Sequence, residues 1–82
     1  MAAQRCLLLS PVGERDGILT SFVFRGEIKQ VEQVLKKWSR SRYGSQHTYD
    51  VTYFTIMSAD QMIATVVRDN ASRRWYLLRV MD

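Results

Sequence analysis

The side chains that could carry out catalysis are few and widely separated in this sequence. It contains one histidine, His47, and one cysteine, Cys6. A zinc site needs three or four ligands, and no second histidine or cysteine pair lies at ligand spacing, so we predict no metal and no other cofactor. The eight carboxylates fall mostly in turn-like segments and form no close pair of the kind that acid–base catalysis requires. The sequence therefore predicts a protein that is not an enzyme.

One catalytic alternative stays open. Small basic ribonuclease toxins cut RNA with arginine, lysine, tyrosine or histidine side chains. The candidates of these types here are His47, Arg73, Arg74 and Tyr76. The common version of that fold places two helices before its sheet, whereas this sequence predicts only one. Catalysis is therefore the minor alternative.

Positive charge is concentrated in residues 26–42, which hold five basic and two acidic side chains and so carry +3 of the net charge of +4. If this segment is a helix, one stripe is apolar. That stripe consists of Ile28, Val31, Val34, Leu35 and Trp38. The opposite side would present Lys29, Lys36, Lys37 and Arg40, and Arg42 and Tyr43 would extend the patch into the next loop. Such a face could bind a phosphate backbone or an acidic protein surface, or it could be an ordinary solvated helix face whose C-terminal cations suit the helix dipole.

A second basic and aromatic cluster lies at the predicted tip of a hairpin. It has the sequence Ser72-Arg73-Arg74-Trp75-Tyr76. Hairpin tips often display binding residues, although charged residues are also normal in turns. Because Trp75 and Tyr76 are consecutive in a predicted strand, one of the two must face the core.

The elements that would position these residues follow from periodicity and turn signals. Strands are predicted at residues 5–10, 18–25, 49–57, 62–68 and 74–81, with turns at 11–17 and 69–72 and a polar loop at 39–46. A short helix beginning at Ser58 is an alternative to the strand at 62–68, because Ser58-Ala59-Asp60-Gln61 fits a capping box. The predicted fold class is α+β, a ββαβββ domain in which one amphipathic helix, anchored by Trp38, packs on an antiparallel sheet. The other sheet face would be uncovered, and exposed aromatics there would form a stacking platform or a partner-binding patch; the candidates are Tyr49, Tyr53, Trp75 and Tyr76.

Length and composition restrict the protein class. At 82 residues we expect one domain, residues 1–82, and an apolar content of 46% predicts a packed core. A lone cysteine favours a reducing compartment, and Cys6 lies in an apolar run where a thiol is inert. The apolar N-terminal run is too short for a signal peptide or a membrane span, so we predict a soluble, cytoplasmic protein without membrane contact. The pI of about 9.6 makes anionic partners plausible. An exposed edge strand or sheet face could also pair two copies in a homodimer.

The predicted helix and three-strand meander end in a charged turn, Arg68-Asp69-Asn70-Ala71-Ser72-Arg73-Arg74-Trp75-Tyr76. Over roughly residues 27–80 this layout resembles small inhibitor proteins of phages and other mobile elements, including type I anti-CRISPR inhibitors. The resemblance implies a non-enzymatic single domain, and some of these inhibitors use lysine and arginine to occupy a crRNA-guided complex where DNA would bind. No functional residue is carried over by a motif match.

Two hypotheses follow. The first is a non-catalytic inhibitor or modulator that binds a larger protein or nucleoprotein complex through the basic helix face, Arg42, Tyr43, Arg73 and Arg74. The second is direct, weakly sequence-selective binding of DNA or RNA through the basic residues of this region. Those residues are Lys29, Lys36, Lys37, Arg40 and Arg42.

Overall fold

Every element in the computed structural model, which describes residues 7–44 and 48–81, is a β-strand or a turn. The strands are β1 (Leu7–Arg15), β2 (Ile18–Phe24), β3 (Glu27–Arg42), β4 (Tyr49–Ser58), β5 (Ile63–Asp69) and β6 (Arg74–Met81). Each strand pairs antiparallel with the next, and β1 also pairs with β6, so that the sheet closes into a barrel. Within the described part of the chain, no helix has the length and apolar character needed to cross a membrane.

The predicted α+β fold is wrong, because the segment expected to be a helix forms strand β3. Two β-bulges in β3 account for the misleading periodicity: one lies between Val31 and Gln33, the other between Val34 and Lys36. Each bulge inserts an extra residue opposite β4, so Val31 and Val34, three residues apart, both pair with buried residues of β4. A spacing of three resembles a helical repeat. The rest of the predicted apolar stripe is not buried, since Ile28 is 61% exposed and Leu35 is 45% exposed.

The turn between β2 and β3 explains why the chain continues as a strand. Arg25 and Gly26 both have positive φ, 53° and 78°, and they connect the paired residues Phe24 and Glu27. A two-residue turn with two positive φ values matches the twist of an antiparallel hairpin. Asp16 and Gly17 form the same kind of turn between β1 and β2, as predicted there. The Arg25-Gly26 pair therefore starts a hairpin and not a helix.

The remaining strands agree with the sequence pattern more closely. The predicted N-terminal hairpin and the C-terminal meander are confirmed, with β6 at residues 74–81 as expected. β1 is longer than predicted, because it continues through Pro11 and Gly13 by means of two register shifts. The alternative helix at Ser58 is wrong. Ser58 instead ends β4, and its hydroxyl hydrogen-bonds the Asp60 carboxylate and accepts from the Met62 amide.

The barrel interior is filled by apolar side chains, and Trp75 is the largest of the described side chains that are fully buried. Trp75 is fully buried and packs on Phe54 with ring centroids 5.4 Å apart. Its indole Nε1 donates to Glu14 Oε1 over 2.6 Å, and Glu14 Oε2 lies 3.6 Å from Arg68 Nη2. Arg68 in turn donates to Asn70 Oδ1 at 2.8 Å. These contacts tie β1 to β5 and β6, and they hold the start of β6 in place.

Candidate functional site

The outer surface of strands β3 to β6 carries a row of aromatic and apolar side chains. Because successive residues of a strand point to opposite faces, the burial of Trp75 and Phe54 turns Tyr76 and Tyr53 outward. The register then aligns Trp38, Tyr53, Val67 and Tyr76 side by side across the four strands. Trp38 and Tyr53 stack with centroids 5.1 Å apart and ring planes 6° from parallel. Leu8 of β1, 63% exposed, pairs with Tyr76 and extends the row.

Two further rows with positively charged ends flank the aromatic row. On one side the register aligns Arg40, Val51, Asp69 and Arg74, and on the other side Lys36, Thr55, Thr65 and Arg79. The four cations are exposed and lie at the ends of the two rows, on β3 and β6. We call these twelve residues the aromatic face; they are Lys36, Trp38, Arg40, Val51, Tyr53, Thr55, Thr65, Val67, Asp69, Arg74, Tyr76 and Arg79.

Strand geometry gives the size of the aromatic face. Neighbouring strands lie about 4.8 Å apart, so β3 and β6 are about 14 Å apart when the distance is followed along the curved sheet. Alternate residues along a strand are about 7 Å apart, which is the distance from the aromatic row to each charged row. Four cations and one carboxylate give the face a formal charge of +3. The face therefore presents an aromatic and apolar central row between two rows that end in cations.

A hairpin arm continues the positive charge beyond the barrel. The last β4–β5 pair joins Val51 to Asp69, but β3 and β4 stay paired as far as Arg42 and Tyr49. Alternation places both Arg42 and Tyr49 on the same side as the aromatic face. Tyr43, 73% exposed, follows at the end of the arm. The arm thus extends the basic and aromatic surface by one further row.

A groove of about 320 Å³ runs between Tyr53 and Tyr76. Val67, only 7% exposed, forms its floor, and Val51 and Asp69 line one end. The Oδ1 atom of Asp69 accepts hydrogen bonds from the backbone amides of Ala71 and Ser72, at 3.0 and 3.4 Å. These bonds fix the carboxylate at the end of the groove and shape the turn into β6.

The structure brings some of the predicted partner-binding residues together and separates others. Lys36, Arg40, Arg42 and Arg74 lie on the aromatic face or its arm, and Tyr43 lies at the end of the arm. Lys37 pairs with Phe54 on the opposite side of β3, where its Nζ lies 5.7 Å from the centroid of the Phe54 ring. Arg73 lies in the β5–β6 turn with a φ of 62°. The cationic set predicted from a helix is therefore divided between the two sides of a strand.

Lys29 lies at the start of β3, away from the aromatic face, in an ionic cluster. Its Nζ contacts Asp60 Oδ2 at 2.6 Å and Glu27 Oε1 at 3.2 Å. The hydrogen bonds to Asp60 and then to Glu27 raise the pKa of Lys29. The Lys29 ammonium, and after it the Ser58 hydroxyl, lower the pKa of the Asp60 carboxyl from its ordinary 3.8 to about 2. The open groove of about 570 Å³ beside this cluster is thus bordered by a lysine that is already paired.

Sequence reasoning missed part of the aromatic face. Trp38 was expected to anchor a helix in the core, but it lies on the outer surface and stacks on Tyr53. Arg79 and Asp69 were not predicted as site residues. Trp75, a candidate for the exposed platform, is buried, whereas Tyr49, Tyr53 and Tyr76 lie on the outer side. The three outward tyrosines are therefore among the platform candidates that the sequence predicts, and Trp75 is the candidate that is wrong.

The residues named for the ribonuclease alternative do not form one described cluster. Arg74 and Tyr76 lie on the aromatic face and Arg73 lies in the adjacent turn. His47 and Cys6 fall outside the described residues. Among the described residues, no group of three or more histidine, cysteine or acidic side chains is placed to hold a metal ion.

No family model matches the chain, and comparisons with curated proteins and with solved structures give no significant match.

Proposed function

We propose that this protein binds single-stranded nucleic acid through the aromatic face. The observation that carries the proposal is the alignment of Trp38, Tyr53 and Tyr76 in one row between two rows that end in cations. Nucleic acids present the complementary pattern, flat bases attached to a regularly charged backbone. Proteins that bind single strands without strong sequence preference combine a positive surface with aromatic side chains on which bases stack.

The dimensions of the aromatic face suit a short stretch of nucleotides. A four-stranded sheet with surface aromatics stacks about two or three bases, and this face spans the same number of strands. Base–aromatic stacking contributes about 1–3 kcal/mol per base. Phosphates on either side of the bases would meet Arg40 and Arg74 along one row, and Lys36 and Arg79 along the other. The hairpin arm would add contacts for one further nucleotide through Arg42 and Tyr49.

A single strand fits the face better than a duplex. Bases in a duplex are stacked on one another and do not offer their flat surfaces to side chains, so the aromatic row would gain nothing from double-stranded DNA. A duplex would contact the cations alone, and its affinity would come from phosphate neutralisation. The arrangement of Trp38, Tyr53 and Tyr76 is therefore a reason to expect discrimination in favour of single strands.

The inhibitor hypothesis stays a prediction, and one part of it changes. The basic helix through which it would bind a protein or nucleoprotein complex does not exist, because those residues belong to β3. An inhibitor with this fold would have to use the aromatic face or another surface. An acidic protein surface would engage the four cations, but it would leave the aromatic row without a specific role.

Fluorescence anisotropy with labelled oligonucleotides of about 12 nucleotides tests the proposal. We expect the protein to bind single-stranded DNA or RNA more tightly than a duplex of the same length at about 50 mM salt. Tyr53→Ala and Tyr76→Ala should each weaken binding about tenfold, as the loss of one stacked base implies. Ile28→Ala, which removes an exposed apolar side chain away from the face, should leave the affinity unchanged.

Circular dichroism and thermal melting of each variant would establish that the fold is retained. Parallel DNA and RNA titrations show which polymer is preferred, because only RNA offers 2′-hydroxyl groups. Absence of saturable binding to either polymer at low salt would exclude the proposed function. Equal losses of affinity in Ile28→Ala and Tyr53→Ala would exclude the aromatic face as the binding surface.

A further inference from the structure

We propose that the groove between Tyr53 and Tyr76 holds one base and that Asp69 selects bases with an exocyclic amino group over thymine and uracil. This inference rests on the proposed function and adds a base preference to it. Three observations support it: the spacing of the two tyrosines, the buried floor formed by Val67, and the position of the Asp69 carboxylate at one end of the groove.

The spacing of Tyr53 and Tyr76 leaves room for one aromatic ring of a base between them. Tyr53 lies on β4 and Tyr76 lies on β6, two strands apart, which separates their backbones by about 10 Å. Stacked aromatic rings have centroids about 4.5–7 Å apart, so a base between the two tyrosines would be within stacking distance of both. Val67, between them on β5, is almost fully buried and gives the base an apolar floor. Trp38 already covers the other side of Tyr53, which stiffens that wall.

Among the described residues that line the groove, Asp69 alone carries a formal charge. Its Oδ1 accepts from two backbone amides, while the described residues provide no hydrogen-bond partner for Oδ2. Arg74 is its register partner on β6, and no ion pair within 4.0 Å joins these two described residues. An ionised carboxylate only accepts hydrogen bonds. The free oxygen therefore favours a ligand with an N–H donor at the edge that reaches the end of the groove.

The bases differ in this respect, and guanine, whose amino donor is at N2, belongs with cytosine and adenine. Cytosine and adenine present amino donors at N4 and N6, and carboxylate side chains accept from cytosine N4 in known protein–DNA contacts. Thymine and uracil present the O4 acceptor where cytosine has its amino group. Their N3–H donor lies between the O2 and O4 carbonyl oxygens, and the carboxylate repels both oxygens. A hydrogen bond to a charged group contributes enough free energy to change affinity about tenfold. We therefore expect cytosine to be preferred over thymine or uracil by about that factor.

The test compares all-thymine oligonucleotides of about 8 residues with all-cytosine and all-adenine oligonucleotides of the same length, so that every binding register places the tested base in the groove. Anisotropy titrations of the wild-type protein should give about tenfold tighter binding to the all-cytosine strand than to the all-thymine strand. The all-adenine strand should also bind more tightly than the all-thymine strand. This comparison needs no variant, so it remains decisive if a substitution at Asp69 impairs folding.

Asp69→Asn is the matched variant. Its side-chain oxygen can still accept from the Ala71 and Ser72 amides, but its amide group presents a donor to the groove. We expect the preference for cytosine to fall to less than about twofold or to reverse in favour of thymine, because O4 can accept from that donor. Asp16→Asn, in the exposed β1–β2 turn, removes the same charge elsewhere and should keep the preference.

The outcomes separate the two proposals. Wild-type binding to all three oligonucleotides with equal affinity would overturn the base preference and leave the proposed function intact. A full preference for cytosine that persists in Asp69→Asn would overturn the role of Asp69. Absence of binding to any of these strands at low salt would remove the proposed function together with the inference.

Discussion

Removing the two cations of one charged row should reduce the salt dependence of nucleic-acid binding by about 40%. Arg40 and Arg74 are exposed at the two ends of the row that contains Val51 and Asp69. For a single strand, each neutralised phosphate contributes about −0.7 to the slope of log K against log salt concentration. The four corner cations and Arg42 of the arm, each facing one phosphate, therefore predict a slope of about −3.5 for the wild-type protein and about −2.1 for Arg40→Ala/Arg74→Ala.

The slope is measured by anisotropy titrations over a range of about 20–200 mM NaCl with one single-stranded oligonucleotide. The control is Arg15→Ala/Arg25→Gly, which removes two exposed arginines that are not part of the aromatic face. Arg15 is the last residue of β1, and Arg25 lies in the turn between β2 and β3. Glycine is chosen at position 25 because the φ of 53° there suits it. The reasoning is refuted if the control lowers the slope as much as the test variant does, or if the wild-type slope is close to zero.

Two further predictions concern the contacts that position the strands. Glu14→Ala should lower the free energy of unfolding by about 1–3 kcal/mol, since it leaves the buried Trp75 indole N–H without its acceptor; urea denaturation followed by fluorescence measures this. Asp60→Asn should make stability less sensitive to acid. The Lys29 contact holds the pKa of Asp60 at about 2, below its ordinary 3.8. The contact therefore stabilises the folded state fully above about pH 4, and this stabilisation is lost as the pH falls through about 2. Thermal melts between these pH values measure the difference.

Each of these substitutions has a control on the same chain. Glu32→Ala removes an exposed carboxylate of β3 and should leave the urea midpoint unchanged. If Glu14→Ala changes the urea midpoint no more than Glu32→Ala does, the Glu14–Trp75 contact does not stabilise the fold. Asp16→Asn removes a carboxylate from an exposed turn. Asp16→Asn should lose as much stability between pH 4 and pH 2 as the wild type loses. If Asp60→Asn also loses that much, the Lys29 contact does not stabilise the folded state.

The parts of the fold that follow simple alternation could be predicted from the sequence. β4 and β6 have regular two-residue patterns and short turns, so their positions and pairing agree with expectation. β3 could not be predicted in the same way, because its two bulges shift the pattern to a three-residue spacing that also suits a helix. The position of a bulge depends on how the strand pairs with another strand, so the local sequence pattern does not predict it. The Arg25-Gly26 pair was the local signal that favoured a hairpin.

The candidate site was predictable only in part, for the same reason. That either Trp75 or Tyr76 must be buried follows from their adjacency, but which of them faces the core depends on the register with β5. Trp38 was assigned to the wrong side because its strand was taken for a helix. Arg40 and Arg74 are distant in sequence, and they lie at the two ends of one row only because strands β3 to β6 pair in this register. The charges were visible in the sequence, whereas their arrangement around the aromatic row was not.

The most direct test of the proposed function is an NMR titration of backbone amides with a short single-stranded oligonucleotide. The aromatic face predicts chemical-shift changes concentrated in residues 36–42, 49–55, 65–69 and 74–79, with residues 13–30 largely unaffected. Shifts concentrated in residues 13–30, or no shifts at an excess of oligonucleotide, would contradict the proposal that this face binds nucleic acid.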